Sequence, residues 1–325
     1  MLRRGPHRAS ILLLAYRMEN TLRPALASAL AQTVPCEIIV SDDASGDRSL
    51  EIAREMTAAY AGPHKVIIRG NEQNQGLCRH IDTVSKIASG EILIFMAADD
   101  VSYPQRVARL LAAFDAHADA YAVGSAVDEI DVSGQVLRRG AWYLDSPMDQ
   151  RKLLHLGKFV TLLGASMSLR RELLDDLPPL TGLVEDNMLT LRASLFGRIY
   201  CLKESLLGYR RHEGNLGRTV FVRTGPGRAA RRKRYERTIR MYREIANDHE
   251  RCLQALPQLP PERRQLGEQI VSMYRIEAES REAVLNLPKR QWLSPIWRGI
   301  KHPGLRRKSV ERAFKLAVPR SWLLS

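Results

Sequence analysis

Short apolar runs and segments of helical period take turns along the first third of the chain. Ser10–Tyr16 reads as a strand and Asn20–Ala31 as a helix, followed by a strand over Glu37–Ser41 and a helix over Arg48–Tyr60. Lys65–Arg69 and Glu91–Ala97 supply further strands, with helices over Gly76–Ala88 and Tyr103–Ala116. The run Ile92-Leu93-Ile94-Phe95-Met96 has no polar alternation, as expected of a strand buried on both faces. This succession of β/α units predicts an α/β fold with an open, mostly parallel sheet flanked by helices.

From Ala120 to Ser168 the pattern loses its regularity. A helix is expected from Asn187 to Phe196, then short strands at Ile199–Leu202 and Leu206–Tyr209. Thr224-Gly225-Pro226-Gly227 breaks the pattern, and the segments beyond it read as helical and basic, divided by Pro257, Pro260 and Pro261. The expected organisation is an α/β domain over residues 1–224 and a helix-rich basic region over 225–325.

Charge sharpens that division. The chain of 325 residues carries a net charge of +14, and residues 226–325 hold 23 Lys/Arg against 10 Asp/Glu. Such a segment favours an anionic partner: anionic lipid, a lipid-phosphate acceptor or nucleic acid. No nucleic-acid motif accompanies the charge, which weighs against the last of these. Trp292, Trp297 and Trp322 lie among Lys289, Arg290, Arg298, Lys301, Arg306, Arg307 and Lys308. That mixture suits a membrane interface, with packing of the rings against the protein body as the plain alternative.

Cys36, Cys78, Cys201 and Cys252 form no CxxC pair, so neither a zinc site nor a disulfide framework is indicated. Ile11–Ala15 is too short for a signal-peptide core, and no stretch approaches the ~18 apolar residues of a membrane span. The expected location is the cytoplasm, with peripheral contact at the inner face of the cytoplasmic membrane.

In open α/β sheets ligands bind beyond the carboxyl ends of the strands. Asp42-Asp43 closes the second predicted strand and Asp99-Asp100 the fourth. Ionised carboxylates are pure acceptors, suited to ribose hydroxyls or a nucleobase imide, and to a diphosphate only through a cation. Turn or cap roles are the simpler reading for Asp47 and Ser102, which precede helical patterns.

The ordered blocks Ala15-Tyr16, Asp42-Asp43-Ala44-Ser45-Gly46-Asp47, Asn74-Gln75-Gly76-Leu77-Cys78-Arg79, Ser89-Gly90-Glu91, Asp99-Asp100, Val184-Glu185-Asp186 and Tyr209-Arg210-Arg211-His212 resemble a family 2 glycosyltransferase. The resemblance runs from about Ala9 to His212. It implies a GT-A fold and inverting transfer of a sugar from a nucleotide-diphosphate donor, commonly UDP, to a glycan or lipid-linked acceptor in surface polysaccharide synthesis. It also assigns roles. Ala15 and Tyr16 would form the base pocket, and Asp42 and Asp43 would contact base and ribose. Asn74, Gly76 and Arg79 would cover the nucleotide. Asp99 and His212 would hold a divalent cation, Mn2+ or Mg2+, with Asp100 beside them at the donor. Of the pair Glu185-Asp186, Asp186 would take the acceptor's proton, or would cap the helix expected from Asn187.

Three positions depart from the family pattern. Ala97 replaces an Asp that often joins the metal site, which puts strict metal dependence in question. Arg17 and Asp82 stand where Asn is common. Two other readings compete. One is a nucleotidyltransferase, against which the loop Ala15-Tyr16-Arg17-Met18-Glu19-Asn20 lacks glycine. The other is a catalytically degenerate scaffold, which Ala97 favours.

Overall fold

The computed structural model describes residues 7–157, 160–212, 228–314 and 316. Contacts divide the chain into two units: Met1–Met148, Thr161–Thr181 and Glu185–Arg211 form one, and Asp149–Val160, Gly182–Val184 and His212–Ser325 the other. The boundary expected at 224/225, with its Gly-Pro breaker, lies outside the described residues.

The first unit is built on one sheet. Strands β1 (Ala9–Ala15), β2 (Glu37–Asp42), β3 (Lys65–Gly70) and β4 (Ile92–Ala97) pair in parallel in the order β3-β2-β1-β4. Helices α1 (Leu22–Leu30), α2 (Ser49–Thr57) and α3 (Leu77–Ser85) connect them. Every residue of β2 is buried, including Glu37. Its carboxylate accepts from Ser10 Oγ at 2.6 Å, Ser89 N at 2.7 Å and Lys65 Nζ at 2.8 Å. The Ser89-Gly90-Glu91 block thus ties the entry to β4 against β1 and β2. A Cβ at Gly90 would stand 2.6 Å from the backbone of Ala9 and Ser10.

The other half of the sheet mixes directions. A two-residue strand, β5 (Val101–Ser102), and helix α4 (Arg106–Ala116) lead to β6 (Ala120–Ile130) and β7 (Val136–Ala141). Later come β8 (Ser168–Arg170), the short helix α6 (Glu172–Asp175), α7 (Glu185–Phe196) and β9 (Arg198–Arg210). Strand β8 runs antiparallel between β4 and β6, β6 runs parallel to β9, β5 is antiparallel to β9, and β7 is antiparallel to β6.

Several expectations are corrected here. The segment Ala120–Ser168 is not irregular: it holds β6, β7 and helix α5 (Gln150–Leu156). Its strand Ala-Tyr-Ala-Val-Gly-Ser-Ala-Val is rich in small residues, which carry weak β signals. The two strands expected at Ile199–Leu202 and Leu206–Tyr209 are one, β9. Its register against β6 shifts between Leu202 and Ser205, so Lys203 and Glu204 form a bulge rather than a break. Ser102 caps no helix but lies in β5, whereas Asp47 does accept from Ser49 N at 2.9 Å at the start of α2. Asp82 lies within α3 rather than in a covering loop, paired with Lys86 at 2.7 Å.

The second unit is helical. Helices α8 (Arg228–Ala255) and α9 (Pro261–Asn286) pack together across the Pro257–Pro261 connection, and α5 packs on α9. Helices α10 (Leu293–Lys301) and α11 (Arg306–Phe314) complete it. The Tyr242 and Tyr274 rings meet with centroids 5.6 Å apart. Trp292, expected among interface aromatics, is instead 1% exposed, and its indole N–H donates to Leu287 O at 3.0 Å. Trp322 lies outside the described residues.

Candidate active site

The carboxyl ends of β1, β2 and β4 lie side by side. Asp43 N donates to Ala15 O at 2.9 Å, and Ala98 N to Leu14 O at 3.0 Å. This is where strand order switches direction about β1, the place at which open α/β sheets form a crevice. Asp42 and Asp43 are both buried here. Asp42 accepts from Ser45 N at 2.9 Å and from the Ser45 hydroxyl, which in turn accepts from Arg17 N at 2.8 Å. Tyr16 is 40% exposed, with the Arg17 guanidinium 5.1 Å over its ring.

Asp43 organises the next loop. Its Oδ1 accepts from Asn71 Nδ2 at 2.6 Å and Gln75 N at 2.9 Å, and its Oδ2 from Gly76 N at 3.0 Å. The Asn74 side-chain Nδ2 donates to Asp43 O at 3.1 Å. Gly76 has φ +74° with nothing within 4 Å of a Cβ, so backbone conformation rather than space selects glycine there. Arg79 sits exposed on α3, beyond this loop. The structure therefore gathers Ala15, Asp42, Asp43, Asn74 and Gly76 into one hydrogen-bonded group.

Asp99 and Asp100 follow β4, and both are buried. Asp100 Oδ1 accepts from Arg210 N at 2.8 Å, whereas Oδ2 is buried with no hydrogen-bond partner among the described residues. Burial, and then the neighbouring Asp99, push the Asp100 carboxyl well above the usual carboxylate range. A cation fits such a pair. A magnesium-type site takes one or two protein carboxylates and completes its shell with substrate phosphates. Among the described residues no group of three or more His, Cys, Asp or Glu is gathered as a ligand cage. His212 follows β9 by two positions and belongs to the second unit.

Two arginines support this pair: Arg106, not singled out from the sequence, and Arg210, which the resemblance includes in its closing block without a role. Arg210 donates from Nε to Asp99 O at 2.8 Å and from Nη1 to Asp131 O and Val132 O, each at 2.7 Å. Arg106 is 1% exposed and donates from Nη2 to Phe95 O and Ala165 O, each at 2.7 Å. Burial lowers its pKa to about 10 against the pull of Asp100. The available signal was positional: Arg106 and Leu110 share the core-facing side of α4.

Helix α7 begins at Glu185 rather than Asn187, so Asp186 lies in the first turn. Its Oδ1 accepts from Asn187 N at 2.8 Å. Asp186 keeps part of its surface open, yet burial and then Glu185 push its carboxyl well above the ordinary range; burial also raises Glu185. Gly164 lies close by: a Cβ there would stand 2.7 Å from Glu185 Oε1 and 3.4 Å from Asp186 Cβ.

A parallel β3-β2-β1-β4 sheet extended by strands of mixed direction, with acidic pairs at the ends of β2 and β4, is a GT-A type architecture. The chain belongs to the family described as Glycosyl transferase family 2, whose family model matches residues 10–177. It is 31% identical over 134 residues to the putative glycosyltransferase EpsE of Bacillus subtilis, covering 40% of this chain and 47% of that protein. It is 31% identical over 107 residues to the succinoglycan biosynthesis protein ExoU of Rhizobium meliloti, covering 33% and 30%. The matches thus span less than half the length of either relative.

Among solved structures, S. aureus TarS 1–349 in complex with UDP-GlcNAc superposes with TM-score 0.57 at 20% identity, covering 91% of this chain and 82% of that one. The mannosyltransferase PcManGT from Pyrobaculum calidifontis, in complex with GDP-Man and Mn2+, gives 0.55 at 14% identity, covering 99% and 84%. At such identities the likeness is one of fold.

Proposed function

We propose that this protein is an inverting glycosyltransferase that moves a sugar from a nucleotide-diphosphate donor, UDP-linked in the first instance, to a hydroxyl of a glycan or lipid-linked acceptor in polysaccharide synthesis. The observation that carries the reading is Asp186. At the start of α7, burial and then the Glu185 carboxyl raise the Asp186 carboxyl above its usual range, which makes it a stronger proton acceptor than an ordinary carboxylate. The acceptor oxygen attacks the anomeric carbon, its proton passes to Asp186, and the bond to the diphosphate breaks on the opposite face.

Ala15, Tyr16, Asp42 and Asp43 would receive the nucleoside, with the Asn74–Arg79 segment over it. Asp99, with Asp100 and His212 as further donors, would hold a divalent cation that offsets diphosphate charge. TarS with UDP-GlcNAc and PcManGT with GDP-Man and Mn2+ support that chemistry by fold.

Peripheral membrane contact from the cytoplasmic side belongs to this proposal, and the second unit's surface supports the contact. Leu293 is 57% exposed, Trp297 59% and Phe314 74%, with Lys301 Nζ 4.9 Å over the Trp297 ring. Among the described residues no helix is long and apolar enough to cross a membrane.

The test is nucleoside-diphosphate release from UDP-, GDP-, CDP- and dTDP-sugars by the wild type and Asp186→Asn. One donor should turn over, ~10²–10⁴-fold more slowly in the variant, with donor affinity nearly unchanged. Loss of donor binding in Asp186→Asn contradicts the base assignment, and no turnover by the wild type favours the scaffold reading that Ala97 suggests.

A further inference from the structure

We infer that Trp142 is the stacking platform for a pyranose ring of the acceptor, a role that rests on the glycosyl-transfer reading above. The residue stands just after β7, 51% exposed, with a left-handed backbone at φ +60°. A bulky side chain rarely adopts that region, and strain of this kind collects at functional sites. Gly140, two positions earlier, is also left-handed at φ +62°, so the chain twists sharply where it delivers the indole.

The ring is exposed but tethered. Its Nε1–H donates to Glu129 Oε1 at 3.1 Å, and the Glu129 carboxylate lies 3.7 Å from Arg211. One edge meets Tyr209, with centroids 6.4 Å apart and planes at 70°. An aromatic fixed by its polar atom, with half of its surface open, has already lost the rotamer freedom that binding would otherwise remove.

Its neighbours belong to the reaction centre. Tyr209 directly precedes Arg210, whose N–H binds Asp100 and whose Nε binds Asp99 O. Tyr209 also packs in one apolar cluster with Ala165, next to Gly164, where a Cβ would approach Asp186 Cβ to 3.4 Å. Trp142 therefore borders the cluster that joins the donor-side acidic pair to the base. The nucleoside end has its own exposed ring, Tyr16. A pyranose suits Trp142 because the C–H bonds on one sugar face present positive edges to the negative face of the indole. Neighbouring Tyr143, 39% exposed with Lys203 Nζ 5.8 Å over its ring, extends the platform by one position.

Saturation-transfer NMR reads this contact directly. The probes are methyl glycosides of glucose, galactose, mannose and N-acetylglucosamine, each with UDP or GDP as internal control. The wild type should transfer saturation to the C–H protons of one sugar face. Trp142→Ala should weaken that glycoside at least tenfold, and Trp142→Phe should retain it, with nucleotide signals and melting temperature unchanged in both. An undiminished glycoside signal in Trp142→Ala overturns the platform, as does a wild type that binds nucleotide but no glycoside. Absence of both signals in the wild type overturns the platform together with the donor reading beneath it.

Discussion

At Asp43 two carboxylate oxygens accept from the Asn71 amide and from the backbone of Gln75 and Gly76, so the loop expected to cover the nucleotide is tied to the end of β2. Asp43→Ala should lower stability by about 1–3 kcal/mol, read by denaturant unfolding, and weaken nucleotide binding with it. Asp186 gives a sharper expectation. A base works deprotonated, and burial and Glu185 raise its pKa, so turnover should rise with pH through a limb lying above the ordinary carboxylate range. Glu185→Gln removes the like charge and should move that limb to lower pH in a kcat profile; an unmoved limb contradicts the coupling. The acidic pairs were legible because carboxylates at strand ends are conspicuous in sequence. Arg106 was not, nor was the role of Arg210 within its block, because a charged residue reads as solvated until the fold supplies the carbonyls it binds: Phe95 O and Ala165 O for one, Asp99 O and Asp131 O for the other.

The strand and helix pattern of β1 to β4 was readable because burial on both faces leaves unbroken apolar runs. Strand β9 was not read whole because the bulge at Lys203 and Glu204 puts two charges in its middle. Ser89-Gly90-Glu91 stood out as a block, yet its reason appears only in three dimensions. Gly90→Ala would push a methyl into the backbone of β1, whereas Gly76→Ala meets open space and only an unfavourable φ. Thermal melts should separate them: ~1 kcal/mol for Gly76→Ala and a larger loss, of order 1–3 kcal/mol or more, for Gly90→Ala. In α9 the buried Glu277 lies 2.8 Å from Arg312 and 3.5 Å from Arg281. Glu277→Ala strands those cations and should destabilise by about 3 kcal/mol, read by the same melts.

Charge asymmetry along the chain leads to the expectation of a distinct basic region beyond residue 224, and Arg228–Ala255, Pro261–Asn286, Leu293–Lys301 and Arg306–Phe314 there are helical. The make-up of the second unit was not legible: α5, from the middle of the sequence, packs on α9, and proximity in sequence does not report such a return. The late tryptophans likewise separate only by structure, Trp292 in the core and Trp297 at the surface. If the exposed face of α10 and α11 meets anionic lipid, co-sedimentation with phosphatidylglycerol-rich vesicles should fall on Trp297→Ala combined with Lys301→Glu, and should weaken with salt. Unchanged sedimentation contradicts membrane contact.

The most direct test of the donor site is calorimetric binding of UDP, GDP, CDP and dTDP, with and without Mn2+ or Mg2+, to wild type and Asp99→Asn. The account predicts that one nucleotide binds with the cation's help and that Asp99→Asn loses that help even though Ala97 has already removed one family carboxylate. Failure of the wild type to bind any of the four under either condition would contradict it.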